Sequence, residues 1–500
     1  MIISSMKKKT QLYLVIFTFS LIVPFTTGCK KSMDELNVNP NAPVTVNPDY
    51  LFTYSVVKGM NSYITNANVH YWLTMNWNMY FATLGGVDAG KEYDSNDGKD
   101  ALWTEHYAQA LMNAREVQRL TAGSNYLINK NSIARIWQAC LFSQLTDLFG
   151  DIPYSAALTG ASSLNFTPTY DRQQNIYYAL INELKQASAA MDPNQAVFPG
   201  NSDPLYKGSV SKWKQFANSL RLRLAMRMSI VDPVKAQQEI AALQNEPFIS
   251  SNSDNAIFPY GGEIRNPLFD LIQSGQSGGK TYPSKYLIDK LKSLNDPRLP
   301  VFAQYTTESI IIGIPDHEGV PNLVPAGSSV WSNYNTDASD VSKIGLWFLK
   351  QDAPGVLMSY AEVCFLKAEA ALNGWWNGNA QQLYEEGVTA NMQSYTGSGI
   401  TTSQITNYIS SLPLVNQENI ITQKWISFTY QNGYEAYAEY RRTGFPILKD
   451  YNGNAINIST YPNRFTYPAT ELNLNSVNYN AAVSVQGPDL ASTKVWWDMN

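Results

Sequence analysis

Ser132-Ile133-Ala134-Arg135-Ile136-Trp137-Gln138-Ala139-Cys140-Leu141-Phe142-Ser143-Gln144-Leu145-Thr146-Asp147-Leu148-Phe149 is the stretch on which the reading of this chain turns. Ile133, Trp137, Cys140, Leu141, Leu145 and Leu148 recur at three or four residues, which lines one face of a helix of about 16 to 18 residues. Trp213, Phe216, Ala217, Leu220, Leu224 and Met228 repeat the pattern. Asp232-Pro233 offers a capping carboxylate and a first-turn proline, so another helix is expected from there to about Leu243. Between Val356 and Leu372, small Ala361, Ala368 and Ala371 beside Tyr360 and Cys364 leave room for a close partner helix, and Gly374 is a natural stop.

Working outward, the predicted helices fall into neighbouring pairs. Lys99 to Thr121 precedes Ser132 to Phe149, and Asp171 to Met191 precedes Ser211 to Ile230. Val356 to Asn373 precedes Ala380 to Met392, and Asn416 to Tyr430 precedes Tyr434 to Arg442. Paired helices repeated along a chain predict a mostly α fold with a tetratricopeptide-like solenoid core, although the repeat length is irregular. Residues 245–350 and 451–500 have another texture, rich in Asn, Gly, Pro, Ser and Tyr. They are expected to form an irregular, loop-rich lobe and a C-terminal loop region, each of long loops, short strands and turns.

The chain begins as an export signal. Lys7, Lys8 and Lys9 precede an apolar run from Leu12 to Phe25, and Thr26-Thr27-Gly28-Cys29 ends it. A membrane span needs about 20 apolar residues, so this run reads as a signal over 1–28, cleaved before Cys29, whose sulfur is then acylated. Residues 29–500 are expected to be a single domain, held to a membrane only through its lipid. Loss of the three lysines takes the formal charge from −5 to −8, and an acidic chain of this kind is a poor partner for nucleic acid.

Only 15% of residues are charged, whereas there are 31 Tyr and 12 Trp, and polarity rests on Asn, Gln, Ser, Thr and Tyr. Uncharged hydrogen-bonding groups beside flat apolar rings suit neutral, hydroxyl-rich ligands; Tyr-rich helix packing would give the same composition. Cys140 and Cys364 fall within helical apolar patterns and read as core residues. His70, His106 and His317 show no zinc-ligand spacing, and no metal site or cofactor is expected, although calcium bracing the acidic loops is compatible with the residues.

Several motifs then occur in a telling order. Leu36-Asn37-Val38-Asn39-Pro40-Asn41-Ala42-Pro43, Leu148-Phe149-Gly150-Asp151-Ile152-Pro153-Tyr154 and Asp296-Pro297-Arg298-Leu299 resemble the SusD/RagB family. So do Gly433-Tyr434-Glu435-Ala436-Tyr437, Glu439-Tyr440-Arg441-Arg442-Thr443-Gly444-Phe445-Pro446 and Arg464-Phe465-Thr466-Tyr467-Pro468 with Glu471 and Asn475. The resemblance implies a SusD-like α/α superhelix of four helix pairs against an irregular binding lobe. It implies an outer-membrane lipoprotein on the cell surface that captures oligosaccharides, or in one branch peptides, for a SusC-like TonB-dependent transporter. Asp34 and Glu35 after Cys29 are similar to the family's surface-export signals. Independently of the family, Glu439, Arg441 and Arg442 are expected to fix register by pairing with carboxylates and carbonyls at a helix end.

A sugar site needs an aromatic plane beside amides and carboxylates. Two stretches supply both: Tyr71, Trp72, Asn76, Trp77, Asn78 and Tyr80 leading to Asp88, Glu92, Tyr93, Asp94 and Asn96; and Tyr260, Arg265 and Asn266 with Trp331, Asn333, Tyr334 and Asn335. Trp72, Trp77 and Tyr80 lie at helical spacing, so one face of them should be core. Tyr93, Trp331 and Tyr334 sit in turn-rich surroundings, and with Trp77 and Asn96 they form the set of ligand-binding candidates.

Catalytic chemistry is poorly represented. Gly275-Gln276-Ser277-Gly278-Gly279-Lys280-Thr281 mimics a phosphate-binding loop, but Ser274 stands where the motif needs its first glycine. Asp94 with Asp97, or Asp316 with Glu318, could serve a glycosidase if held about 5 to 10 Å apart across a sugar. A tetratricopeptide-like scaffold that binds other proteins is the remaining alternative. The leading expectation is a glycan-binding protein that is not an enzyme.

Overall fold

The computed structural model describes residues 46–61, 66–85, 96–273, 281–325, 327–335, 337–456 and 461–499. Cys29 with its signal, Tyr93, Asp94 and residues 275–280 lie outside them. Among the described residues no helix is long and apolar enough to cross a membrane.

The three-and-four periodicity becomes a stack of antiparallel helices. α1 (Pro48–Asn61) lies on α2 (Met112–Thr121), α2 on α3 (Ile128–Phe149), α3 on α4 (Gln173–Ala190), and α4 on α5 (Val210–Arg227), with α6 (Pro233–Ala242) against α5. α3 runs for 22 residues and is buried on more than the one face the spacing marks, because α1, α2, α4 and α5 all touch it. Ile136 and Phe142, off the predicted stripe, are buried as well as Ile133 and Trp137 on it. The cap at Asp232 forms, its carboxylate accepting from Lys235 N at 3.1 Å.

The second half repeats the scheme with α7 (Tyr360–Leu372), α8 (Ala380–Ser394), α9 (Thr402–Ser411), α10 (Gln417–Ser427) and α11 (Gly433–Thr443). Ala361, Phe365 and Ala368 of α7 share a core with Tyr384 and Val388 of α8, Tyr408 of α9 and Ile420 of α10. The close approach depends equally on the partner: a Cβ at Gly387 would sit 2.7 Å from the Phe365 ring. α7 begins later than its apolar pattern suggests. Residues 355–358 are extended, and Ser359 caps the helix by accepting from Glu362 N. Gly374, at φ +72°, stops it.

The described residues also form three two-stranded antiparallel ribbons: β1 (Phe81–Thr83) with β5 (Thr281–Pro283), β2 (Ile152–Pro153) with β3 (Tyr170–Asp171), and β4 (Ala256–Phe258) with β6 (Gly355–Met358). The lobe over 245–350 also carries short helices at Pro267–Gln273, Lys285–Ser293 and Thr307–Ile311. The 451–500 region is not all loop, as its composition suggests. Residues 469–474 are helical, and α12 (Ser476–Gln486) follows, because Asn475 and Asn478 tie this segment to the carbonyls of Pro168 and Thr167.

A buried ionic lattice joins the halves. Arg223 pairs with Glu362 at 2.6 Å and stands 3.6 Å from Glu435; Arg227 binds Glu435 at 2.6 Å and also Glu439. Lys424 is 3.0 Å from Glu439, and Arg442 reaches Glu369 at 2.7 Å and Glu439 at 2.8 Å. Four cations therefore face four carboxylates across α5, α7, α10 and α11. Burial pushes the Glu439 carboxyl up, but the Arg442, Lys424 and Arg227 charges outweigh it and hold it well below the usual range. Arg441 takes the other option, donating to the carbonyls of Asn463 at 2.7 Å and Asp147 at 2.8 Å.

Candidate functional site

The β1–β5 ribbon pairs Ala82 with Tyr282, and Ala82 packs with Val320, Ala338 and Val341 in a small core of its own. Leu84, Tyr282, Trp331 and Tyr334 are half-buried against that core. The floor is held by the backbone: Val320 N donates to Pro283 O at 3.0 Å, and Lys285 N donates to Val320 O at 2.7 Å. Trp331 rides on a 3-10 turn, Ser329–Asn333, whose Ser328 hydroxyl accepts from Val330 N. Two sequence stretches far apart in the chain, the one ending at Leu84 and the one around Trp331, therefore meet.

Trp331 and Tyr334 form an aromatic platform with ring centroids 6.2 Å apart, inclined by 60°. The indole N–H donates to Pro325 O at 3.2 Å, which fixes the ring plane and leaves stacking as the chemistry its exposed part offers. Polar groups rim it. Lys285 pairs with Glu318 at 2.9 Å and with Asp289 at 3.4 Å, and Asn335 donates through Nδ2 to Ser339 Oγ at 3.0 Å. Burial, with Glu318 and Asp340 nearby, pushes the Tyr334 phenol above its ordinary value, so it remains a neutral hydrogen-bonding group.

The structure sorts the candidates. Trp331 and Tyr334 stand together; Tyr93 lies outside the described residues; Asn96 opens a helix over Asn96–Glu105. Trp77 is corrected: at 2% exposure it is wedged between Tyr437 and Phe465, with centroids 5.2 and 5.4 Å away, and belongs to the core. Tyr260 and Asn266 are also spent internally, donating to Met60 O and Ala353 O, and Asn78 donates to Thr74 O and Gly433 O. Tyr282 was not among the sequence candidates. Its only signal is an aromatic residue following the glycine-rich stretch, and its place against the same small core as Trp331 comes from strand pairing that the sequence does not display.

No catalytic constellation emerges among the described residues. Asp316 is paired with Lys292 at 3.0 Å and Glu318 with Lys285. Burial raises the thiols of Cys140 and Cys364 to about 11 and about 12, which leaves them unreactive core groups. Among the described residues no three His, Cys, Asp or Glu side chains are grouped to hold a metal ion. A cavity of about 90 Å³ lies where α1, α3, β6 and the α10–α11 turn meet. Its lining residues Arg223 and Glu435 are members of the ionic lattice, and its Tyr260 is bonded to Met60.

The profile of the SusD-like family, described as starch-binding and associating with the outer membrane, matches residues 40–468. No curated protein matches the sequence. Among solved structures, a chitin-binding protein is similar at 30% identity over 91% of this chain and 100% of that one, with a TM-score of 0.80. A SusD homolog from Bacteroides uniformis has 27% identity over 91% and 99%, with a TM-score of 0.76. A chitin-binding SusD homolog from Flavobacterium johnsoniae has 26% identity over 90% and 98%, with a TM-score of 0.75.

Proposed function

This chain belongs to the SusD-like family of starch-binding proteins that associate with the outer membrane, and from that premise we propose that it is a non-catalytic glycan receptor on the cell surface. It is anchored through acylated Cys29, stacks a sugar ring on Trp331 and Tyr334, and delivers the glycan to a SusC-like TonB-dependent transporter. The observation that carries the reading is the platform itself: two half-exposed rings, the Trp331 plane fixed by the Pro325 carbonyl, set among amides and carboxylates at the surface of the lobe. The chitin-binding proteins among its structural relatives support a saccharide of the same broad kind.

Isothermal titration of the mature chain with maltohexaose and chitohexaose tests the platform. Stacking is worth about 0.5–1.5 kcal/mol beyond buried area, so its loss in Trp331→Ala should weaken saturable binding roughly two- to tenfold, and the lost buried area should add to that. Binding that survives Trp331→Ala and Tyr334→Ala unchanged would overturn the assignment. Gentle detergent extraction tests delivery, which requires a large β-barrel partner to co-purify.

A further inference from the structure

A second cavity, of about 170 Å³, opens between the turn before β4, the strand β6 and the C-terminal end of α8. That is room for on the order of ten waters. Its lining includes Asn252, Asn255, Gln393, Gln431 and Trp347 and holds no Asp, Glu, Lys, Arg or His. It shares no residue with the Trp331 platform, and it adjoins the smaller cavity only through Val356 and Gln431.

The groups around it are unequally committed. Asn252 and Asn255 are used by the fold: Asn252 Nδ2 donates to Ala390 O at 2.8 Å, and Asn255 Oδ1 accepts from Tyr360 N at 2.7 Å. Exposed Gln393 and half-buried Gln431 have side-chain amides without a hydrogen-bond partner among the described residues. Trp347 is immobilised. Its Nε1 donates to Thr396 O at 3.1 Å, and its ring stands edge-to-face with Phe348 at 4.9 Å and Tyr395 at 5.1 Å. A fixed indole beside two uncommitted amides, in a cavity without charge, suits a neutral polyhydroxylated ring and offers a charged ligand no counter-ion.

We propose that this cavity is a second saccharide site, taking one neutral sugar ring on Trp347 with its hydroxyl or acetamido groups on Gln393 and Gln431. The assignment rests on the reading of the chain as a glycan receptor. The two fail separately in the following test. Maltotriose and chitotriose are titrated calorimetrically into the mature chain and into its Trp331→Ala, Gln393→Ala and Trp347→Leu variants, with melting curves to confirm folding. Two sites are expected in the parent chain. Trp331→Ala should leave one, which Gln393→Ala weakens several-fold and Trp347→Leu abolishes. Since Gln393 is exposed, its variant keeps the test valid if Trp347→Leu does not fold. A single site lost with Trp331→Ala and indifferent to Gln393→Ala overturns the second site alone. Absence of binding by the parent chain to either trisaccharide overturns both.

Discussion

His70 shows how far one side chain can be tied to pH. It is buried, its Nε2 accepts from Gly433 N at 2.8 Å, and burial lowers its pKa to about 3. A protonated ring would point a second donor at that N–H. The unfolded chain takes up the proton near pH 6.5 and the folded chain does not, so this contribution to stability is full above that pH and declines down to about 3. The melting temperature should fall as pH drops from 7 to 4, and His70→Gln should flatten the slope; an unchanged slope would show that His70 does not carry it. Arg442 makes the opposite case, a charge that must stay. Arg442→Ala takes from buried Glu369 its ion-pair partner and from Glu439 one of its three cations, and is expected to cost about 3–5 kcal/mol in urea denaturation. The sequence showed that Arg441 and Arg442 would bond near a helix end, but not that one would choose carbonyls and its neighbour carboxylates, because that depends on which side of α11 meets α7.

Among elements, helices were the most legible. Their period survives translation into packing, as α3, α5 and the four predicted pairs show. What periodicity could not mark is the environment of each face, so α3 emerged as surrounded and residues 469–474 and 476–486 as helical in a segment whose composition reads as loop. Strand pairing was invisible for a related reason: ribbons of two to four residues are too short to carry an alternating pattern. The candidate site hangs on one such ribbon, which is why Trp331 and Tyr334 could be picked by their surroundings while Tyr282 could not. The α7–α8 contact gives the prediction proper to this scale. Gly387→Val drives a branched side chain into the Phe365 ring and should destabilise by about 1–3 kcal/mol. Adding Phe365→Leu should recover part of that loss, and an additive double variant would show that the two positions do not touch.

For the molecule as a whole, the proposed function separates two tasks, holding a ligand and holding a membrane. A neutral sugar on aromatic rings is insensitive to screening, so affinity should vary less than twofold between 50 and 500 mM salt, whereas a strong decline would point to a charged ligand. Cys29→Ser should move the chain from the detergent to the aqueous phase on Triton X-114 partitioning, leaving saccharide binding in solution intact. Helical-repeat proteins commonly come apart one repeat at a time, since each touches only its neighbours. Here Arg227 on α5 and Arg442 on α11 clasp the same Glu439, so sequence-distant repeats are fastened at one point. Peeling α11 away would have to tear α5's guanidinium from the same carboxylate, so these two layers are expected to let go together, as a single rivet releases both plates at once.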